Sequence, residues 1–130
     1  VTVSIQPGAR ASVVRQVRRE DTARALGSGD LEVLGTPRLL AWCEQATVAA
    51  VAEGIDAGRT TVGTRVEIAH ERASPVGATL SVRADLVHTD GRLLRFDVVA
   101  EQEVAGATTV VGRGQVTRVV VDRDRFLSRL

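Results

Sequence analysis

The chain has 130 residues, 44 % of them hydrophobic, and a formal net charge of +1. That is enough for one domain with a real core, expected over residues 1–130, and it excludes a disordered chain. The near-zero charge excludes a dedicated nucleic-acid surface, although all 17 basic residues are Arg. The single Cys excludes an internal disulfide, and with no secretory leader pattern in view the expected compartment is the cytoplasm.

Val1 to Gln6 alternates apolar and polar residues, and Pro7-Gly8 turns the chain. Ala11 to Arg18 alternates again and predicts a strand. Arg19 to Leu26 predicts a short helix, closed by the loop Gly27-Ser28-Gly29-Asp30. Thr36 to Gly54 predicts one helix of about five turns. Thr36 is its expected cap, Pro37 its first residue, and Gly54 its left-handed end. Leu39, Leu40, Trp42, Cys43, Ala46 and Val51 leave no broad polar face, so the helix is expected to be buried. Its length approaches that of a membrane span, but Arg38, Glu44, Gln45 and Glu53 interrupt it, and no membrane partner is expected.

After Ile55 to Arg59 the period changes from helical to alternating. Thr60 to Ala73 predicts a long strand ending before Ser74-Pro75. Thr79 to His88 places Leu80, Val82, Ala84 and Leu86 on one face. Asp90-Gly91 is a hairpin signal. Leu93 to Val104 returns with Leu94, Phe96, Val98 and Ala100 on one face. Thr108 to Val121 is the last strand, and Asp122 to Leu130 a tail. Strand, buried helix, then four strands with short connections predicts an α+β fold: an antiparallel sheet of about five strands wrapped around one long central helix. The outer sheet face should carry Val87, Leu93, Val99, Val111 and Val119, which predicts a homodimer or a tetramer.

The chain has no Gly-x-Ser-x-Gly elbow and no Cys/His cluster with metal-ligand spacing. Gly112-Arg113-Gly114 lies inside a strand pattern, where glycines mark a bulge or a close backbone approach rather than a phosphate loop. Cys43 reads as a small buried hydrophobe. Four residues remain. Glu44 sits in an apolar helix, either paired with an Arg or poised as a base. His70 is one of two histidines. Thr36 opens the helix, and Gly63 can kink a long strand.

Together these residues resemble the hotdog-fold thioesterases, and within them the fluoroacetyl-CoA thioesterase family. In that family a Thr opens the central helix, a Glu follows eight residues on and a His 26 residues later, with a Gly seven residues before the His. Thr36, Glu44, Gly63 and His70 match this spacing without gaps. Arg118, in Gly114-Gln115-Val116-Thr117-Arg118, matches the Arg near the end of the last strand. The resemblance spans roughly residues 10 to 125. It implies the hotdog fold and hydrolysis of an acyl-CoA, with Thr36, Glu44 and His70 catalytic and Gly63 and Arg118 binding substrate. No metal and no cofactor is implied, since CoA is part of the substrate. The fluoroacetyl-specific enzyme has an aromatic lid before the helix, whereas Thr22 to Gly35 holds no Phe, Tyr or Trp. The expectation is therefore a small or medium acyl-CoA other than fluoroacetyl-CoA, under a top that is softer, more open, or filled by Leu26, Leu31 and Leu34.

Thioester hydrolysis needs a nucleophile, a base and a place for the developing oxyanion. Glu44 in apolar surroundings is a candidate base or nucleophile, His70 a proton carrier near neutral pH, and the Gly63 amide an oxyanion donor. Glu44, Thr36 and an activated water all remain open as the attacking group. Thr36 and Glu44 lie about 12 Å apart along one helix axis. Gly63 and His70 lie about 23 Å apart on one extended strand. The expectation is a site shared by two subunits, Gly63 of one facing Glu44 and His70 of the other. The alternatives are a non-catalytic acyl-CoA sensor and a hotdog enoyl-CoA hydratase; the Glu44–His70 spacing is wrong for the short local motif of the hydratase.

Overall fold

The computed structural model describes residues 5–130, so most of the alternation over Val1 to Gln6 lies outside the described residues. Five strands are formed: β1 (Arg10–Gln16), β2 (Arg59–His70), β3 (Thr79–Asp90), β4 (Leu93–Val104) and β5 (Ala107–Asp122). They make one antiparallel sheet in the order β1-β3-β4-β5-β2. The alternation in β3 and β4 does what its period requires: Leu80, Val82, Ala84, Leu86, Leu94, Phe96, Val98 and Ala100 are all buried on one face. The long helix α2 (Thr36–Val51) lies on that face, burying Leu39, Trp42, Cys43, Ala46 and Val51. Each large side chain so buried contributes about 1.5–3 kcal/mol. This is the expected sheet wrapped around one helix.

Several local expectations are corrected. Residues 19–26 form not one helix but a turn of 3-10 helix (Arg19–Asp21) and a single turn α1 (Ala23–Leu26), because Thr22 stays extended and caps α1 through its hydroxyl. Gly35, not Thr36, is the N-cap of α2, which frees the Thr36 side chain for another partner. At the far end α2 tightens into a 3-10 turn (Ala52–Gly54), and Gly54 is not left-handed. Strand β2 stops at His70 rather than Ala73. The helix is not buried all round: Gln45, Val48 and Ala49 form an open flank, with Val48 45 % exposed. The tail forms a short helix α3 (Arg123–Ser128), capped by Asp122.

Three bulges shape the sheet, at the register shifts Gly63/Arg65, Leu86/His88 and Ala100/Glu101. Each inserts one residue and reverses which face the following residues take. Val111 is the inserted residue opposite Ala100 and Glu101, and it is fully buried instead of lying on the outer face. That face is also more polar than expected, since it carries ion pairs such as Arg83–Asp85 and Arg65–Glu67. Gly112 and Gly114 sit where β2 crosses closest. A side chain at Gly112 would meet the Ala69 carbonyl at 2.8 Å and Leu39 at 3.1 Å, and one at Gly114 would run into the Glu67 carbonyl. The Gly-Arg-Gly run is thus a close backbone approach, not a phosphate loop.

Candidate active site

The first part of the site lies at the start of α2. With Gly35 serving as the cap, the Thr36 hydroxyl is free to lie 2.8 Å from Nδ1 of His70, at the end of β2. His70 Nε2 is buried and has no hydrogen-bond partner among the described residues. Burial lowers the His70 pKa from 6.5, partly countered by the Arg72 backbone, so the neutral ring is favoured. In that ring one nitrogen donates and the other accepts. A cleft of about 280 Å³ opens beside the pair, lined by Leu34, Thr36, His70, Arg72 and Ala73 among others.

The segment before α2 is tied down from several directions. Asp21 is buried; its carboxylate holds Arg38 at 3.0 Å and accepts from the Arg18 amide at 2.8 Å. Its carbonyl accepts from the Gly35 amide at 2.8 Å, and the Leu34 amide donates to the Ser74 carbonyl. Of the three leucines expected over the pocket, Leu34 is buried and lines the cleft, while Leu26 and Leu31 are 37 % and 65 % exposed.

The second part lies two turns further along α2. Glu44 has the Arg partner that the sequence left open: Arg118 Nη1 donates to its Oε2 at 2.9 Å. Arg118 is itself buried, with Nε on the Thr61 hydroxyl at 2.9 Å and Nη2 on the Thr61 carbonyl at 3.1 Å. All three guanidinium nitrogens are used, which fixes the direction of the charge. Gly63 is packed against this pair. A Cβ there would collide with Glu44 Oε2 and lie 3.3 Å from Arg118 Nη1. The carboxylate occupies the space a side chain would need. Beneath Glu44, burial and then the Glu44 charge push the Cys43 thiol up to about 12, so it is an inert thiol.

Thr36 and His70 therefore come together, and so do Glu44, Gly63 and Arg118, but the two groups are separate within one chain. Eight residues of helix put them about 12 Å apart along the axis. This corrects the expected division of the site: Gly63 faces Glu44 of its own chain, and His70 stands with Thr36 instead. The bulge after Gly63 explains how both groups reach the helix side. Residues seven apart on a regular strand point to opposite faces, but Gly63 pairs with Arg118 and His70 with Gly112, and both face inward.

Residues 17–124 match the family described as fluoroacetyl-CoA-specific thioesterase, FlK. The chain belongs to that family. It is 30 % identical to the fluoroacetyl-CoA thioesterase of Streptantibioticus cattleyicolor over 99 residues, covering 76 % of this chain and 68 % of that one. A solved structure of the fluoroacetyl-CoA thioesterase FlK superposes with a TM-score of 0.87 at 27 % identity, covering 97 % and 95 % of the two chains. A mutant of that enzyme in complex with fluoroacetate and CoA gives 0.86 at 28 % identity, covering 94 % of this chain and 99 % of that one. A Thermus thermophilus thioesterase superfamily member shares the fold at 21 % identity, with a TM-score of 0.87 over 98 % and 91 %. The hotdog fold and the thioester hydrolase class expected from the sequence are those of the family.

Thr61 and Asp21 were not singled out in the sequence. Thr61 lies two residues before Gly63 on β2, so the strand period alone puts both on one face. Nothing local marks Asp21, because its partners Arg38 and Gly35 are reached only when the loop folds back. Among the described residues no group of three or more His, Cys, Asp or Glu could hold a metal ion, and no helix is long and apolar enough to cross a membrane.

Proposed function

We propose that this enzyme hydrolyses a small or medium acyl-CoA other than fluoroacetyl-CoA, using Thr36, Glu44 and His70 with Gly63 and Arg118, as a cytoplasmic homodimer. The observation that carries the reading is the Thr36–His70 pair at 2.8 Å beside an open cleft. Hydrolysis breaks the C–S bond, adds water across it and must deliver a proton to the departing sulfur. Glu44 can attack the carbonyl or take a proton from water, and His70 can pass a proton to the thiolate. Thr36 orients the imidazole, and the Gly63 amide can donate to the oxyanion. The missing aromatic lid supports a substrate other than fluoroacetyl-CoA.

Two open surfaces support the dimer. Strand β2 is twelve residues long and has a free edge, and α2 keeps an exposed flank with Val48. Pairing β2 with its symmetry copy about a two-fold axis near Val66 would bring Gly63 of one chain beside His70 of the other. Each site would then combine Glu44, Gly63 and Arg118 of one chain with Thr36 and His70 of its partner.

Two measurements test this. Thiol release from a panel of acyl-CoAs should show turnover for at least one; binding without release from any would make the protein a sensor. Mixing Glu44→Gln with His70→Ala chains, after unfolding and reassociation, should restore about a quarter of wild-type activity, because half the dimers are mixed and each has one intact site. Mixed dimers that form and stay inactive would place the whole site in one chain.

A further inference from the structure

Resting on the reading of Thr36 and His70 above, we propose that Asp21 and Arg38 are positioning residues that hold the Thr36 hydroxyl against His70. Asp21 grips the chain on both sides of Thr36. Its carbonyl accepts from the Gly35 amide at 2.8 Å, and its carboxylate lies 3.0 Å from Arg38 Nε. The carboxylate is itself held, since its other oxygen accepts from the Arg18 amide at 2.8 Å. Asp21 is only 7 % exposed, so this carboxylate is largely shielded from the solvent that weakens surface ion pairs.

Two features of the pair favour a directing role over a stabilising one. Arg38 stands in the first turn of α2, a turn without an acidic residue. A cation there opposes the helix dipole, so the helix itself gives no reason for it. Arg38 Nε is also buried and makes no aligned hydrogen bond among the described residues, so its contact with Asp21 is Coulombic. A buried ion pair of this kind adds little over apolar residues of the same size, because both charges had to leave water. What it does fix is the rotation of the turn. At 3.6 residues per turn Arg38 points about 200° around the axis from Thr36. The first turn is therefore held from opposite sides, by Arg38 on Asp21 and by Thr36 on His70 Nδ1. A turn free to rotate would carry the hydroxyl away from Nδ1.

The test is built on the double variant Asp21→Asn/Arg38→Met, in which neither charge is left buried alone. Each single variant strands one charge and should lower both Tm and kcat. The double variant should recover most of the lost Tm, while kcat stays about tenfold low and KM moves less than about twofold. A merely structural role would return kcat together with Tm. Arg38→Lys keeps a cation within reach of Asp21 and should retain at least about half of the wild-type kcat. A second readout needs no turnover. The chain has two histidines, and His88 on β3 serves as the internal reference. In the double variant the His70 imidazole nitrogen resonances should move toward those of Thr36→Val, which lacks the hydroxyl. In Arg38→Lys they should keep their wild-type positions. This NMR comparison decides the positioning even if no acyl-CoA is hydrolysed, an outcome that would sink the catalytic reading alone. Wild-type His70 resonances in the double variant, or a kcat there within about twofold of wild type, would overturn the proposal.

Discussion

Gly63→Ala tests the packing at the centre of the site. Gly63 is not in the left-handed region, so its backbone accepts an L residue, and Ala in a strand should stabilise by about 0.5–1 kcal/mol over Gly. Against this, the new methyl needs the space held by Glu44 Oε2. The carboxylate is the end of a flexible side chain, and it can move only by giving up its 2.9 Å bond from Arg118. A hydrogen bond to a charged group is worth about 1.5–3 kcal/mol. The Glu44 side chain is 33 % exposed, so solvent screening puts the loss at the lower end. The net cost is about 1 kcal/mol, or about 3–5 °C in Tm for a domain of this size. Turnover should fall about 100-fold, since a carboxylate displaced by about 1 Å is badly placed for attack or proton transfer. Thermal melts and initial rates measure both. In a Glu44→Ala background the methyl has room, so Gly63→Ala should become neutral or stabilising, a coupling of about 1–2 kcal/mol. A Tm raised by the substitution in the wild-type background, with turnover within about twofold of normal, would refute the packing argument.

Three shorter predictions concern the neighbouring groups. Glu44→Gln keeps the shape and removes the charge; turnover should fall by at least about 100-fold while calorimetric CoA affinity is kept. Thr61→Val removes the hydroxyl that receives Arg118 Nε and should cut kcat about tenfold with little change in KM, whereas Thr61→Ser should restore most of it. His70 has a folded pKa below its ordinary 6.5, so the unfolded chain binds more protons there at mildly acid pH. Its contribution should make stability fall as pH drops below about 6.5 towards the folded value, and urea unfolding of His70→Gln should show a shallower decline over that window.

The elements themselves were legible in the residues because their causes are local. Alternation in Leu80 to Leu86 and Leu94 to Ala100 sets which face is buried, and Asp90-Gly91 turns the hairpin between them. The apolar run after Pro37 makes a helix that a sheet must cover. Thr36, Glu44, Gly63, His70 and Arg118 also stood out as candidates, through spacing shared with a family. Their grouping did not stand out. Counting along a strand puts Gly63 and His70 on opposite faces, and only the bulge after Gly63 turns both inward. A bulge is set by how two strands fit against each other, so neither strand's own pattern announces it. The same holds for Val111, which alternation places outside and the β4–β5 register places in the core. The sequence left Glu44 either paired with an Arg or poised as a base, and the fold settles the pairing by bringing Arg118, 74 residues away, against it. Whether a buried charge has a partner depends on contacts between distant segments, and those exist only in the tertiary structure.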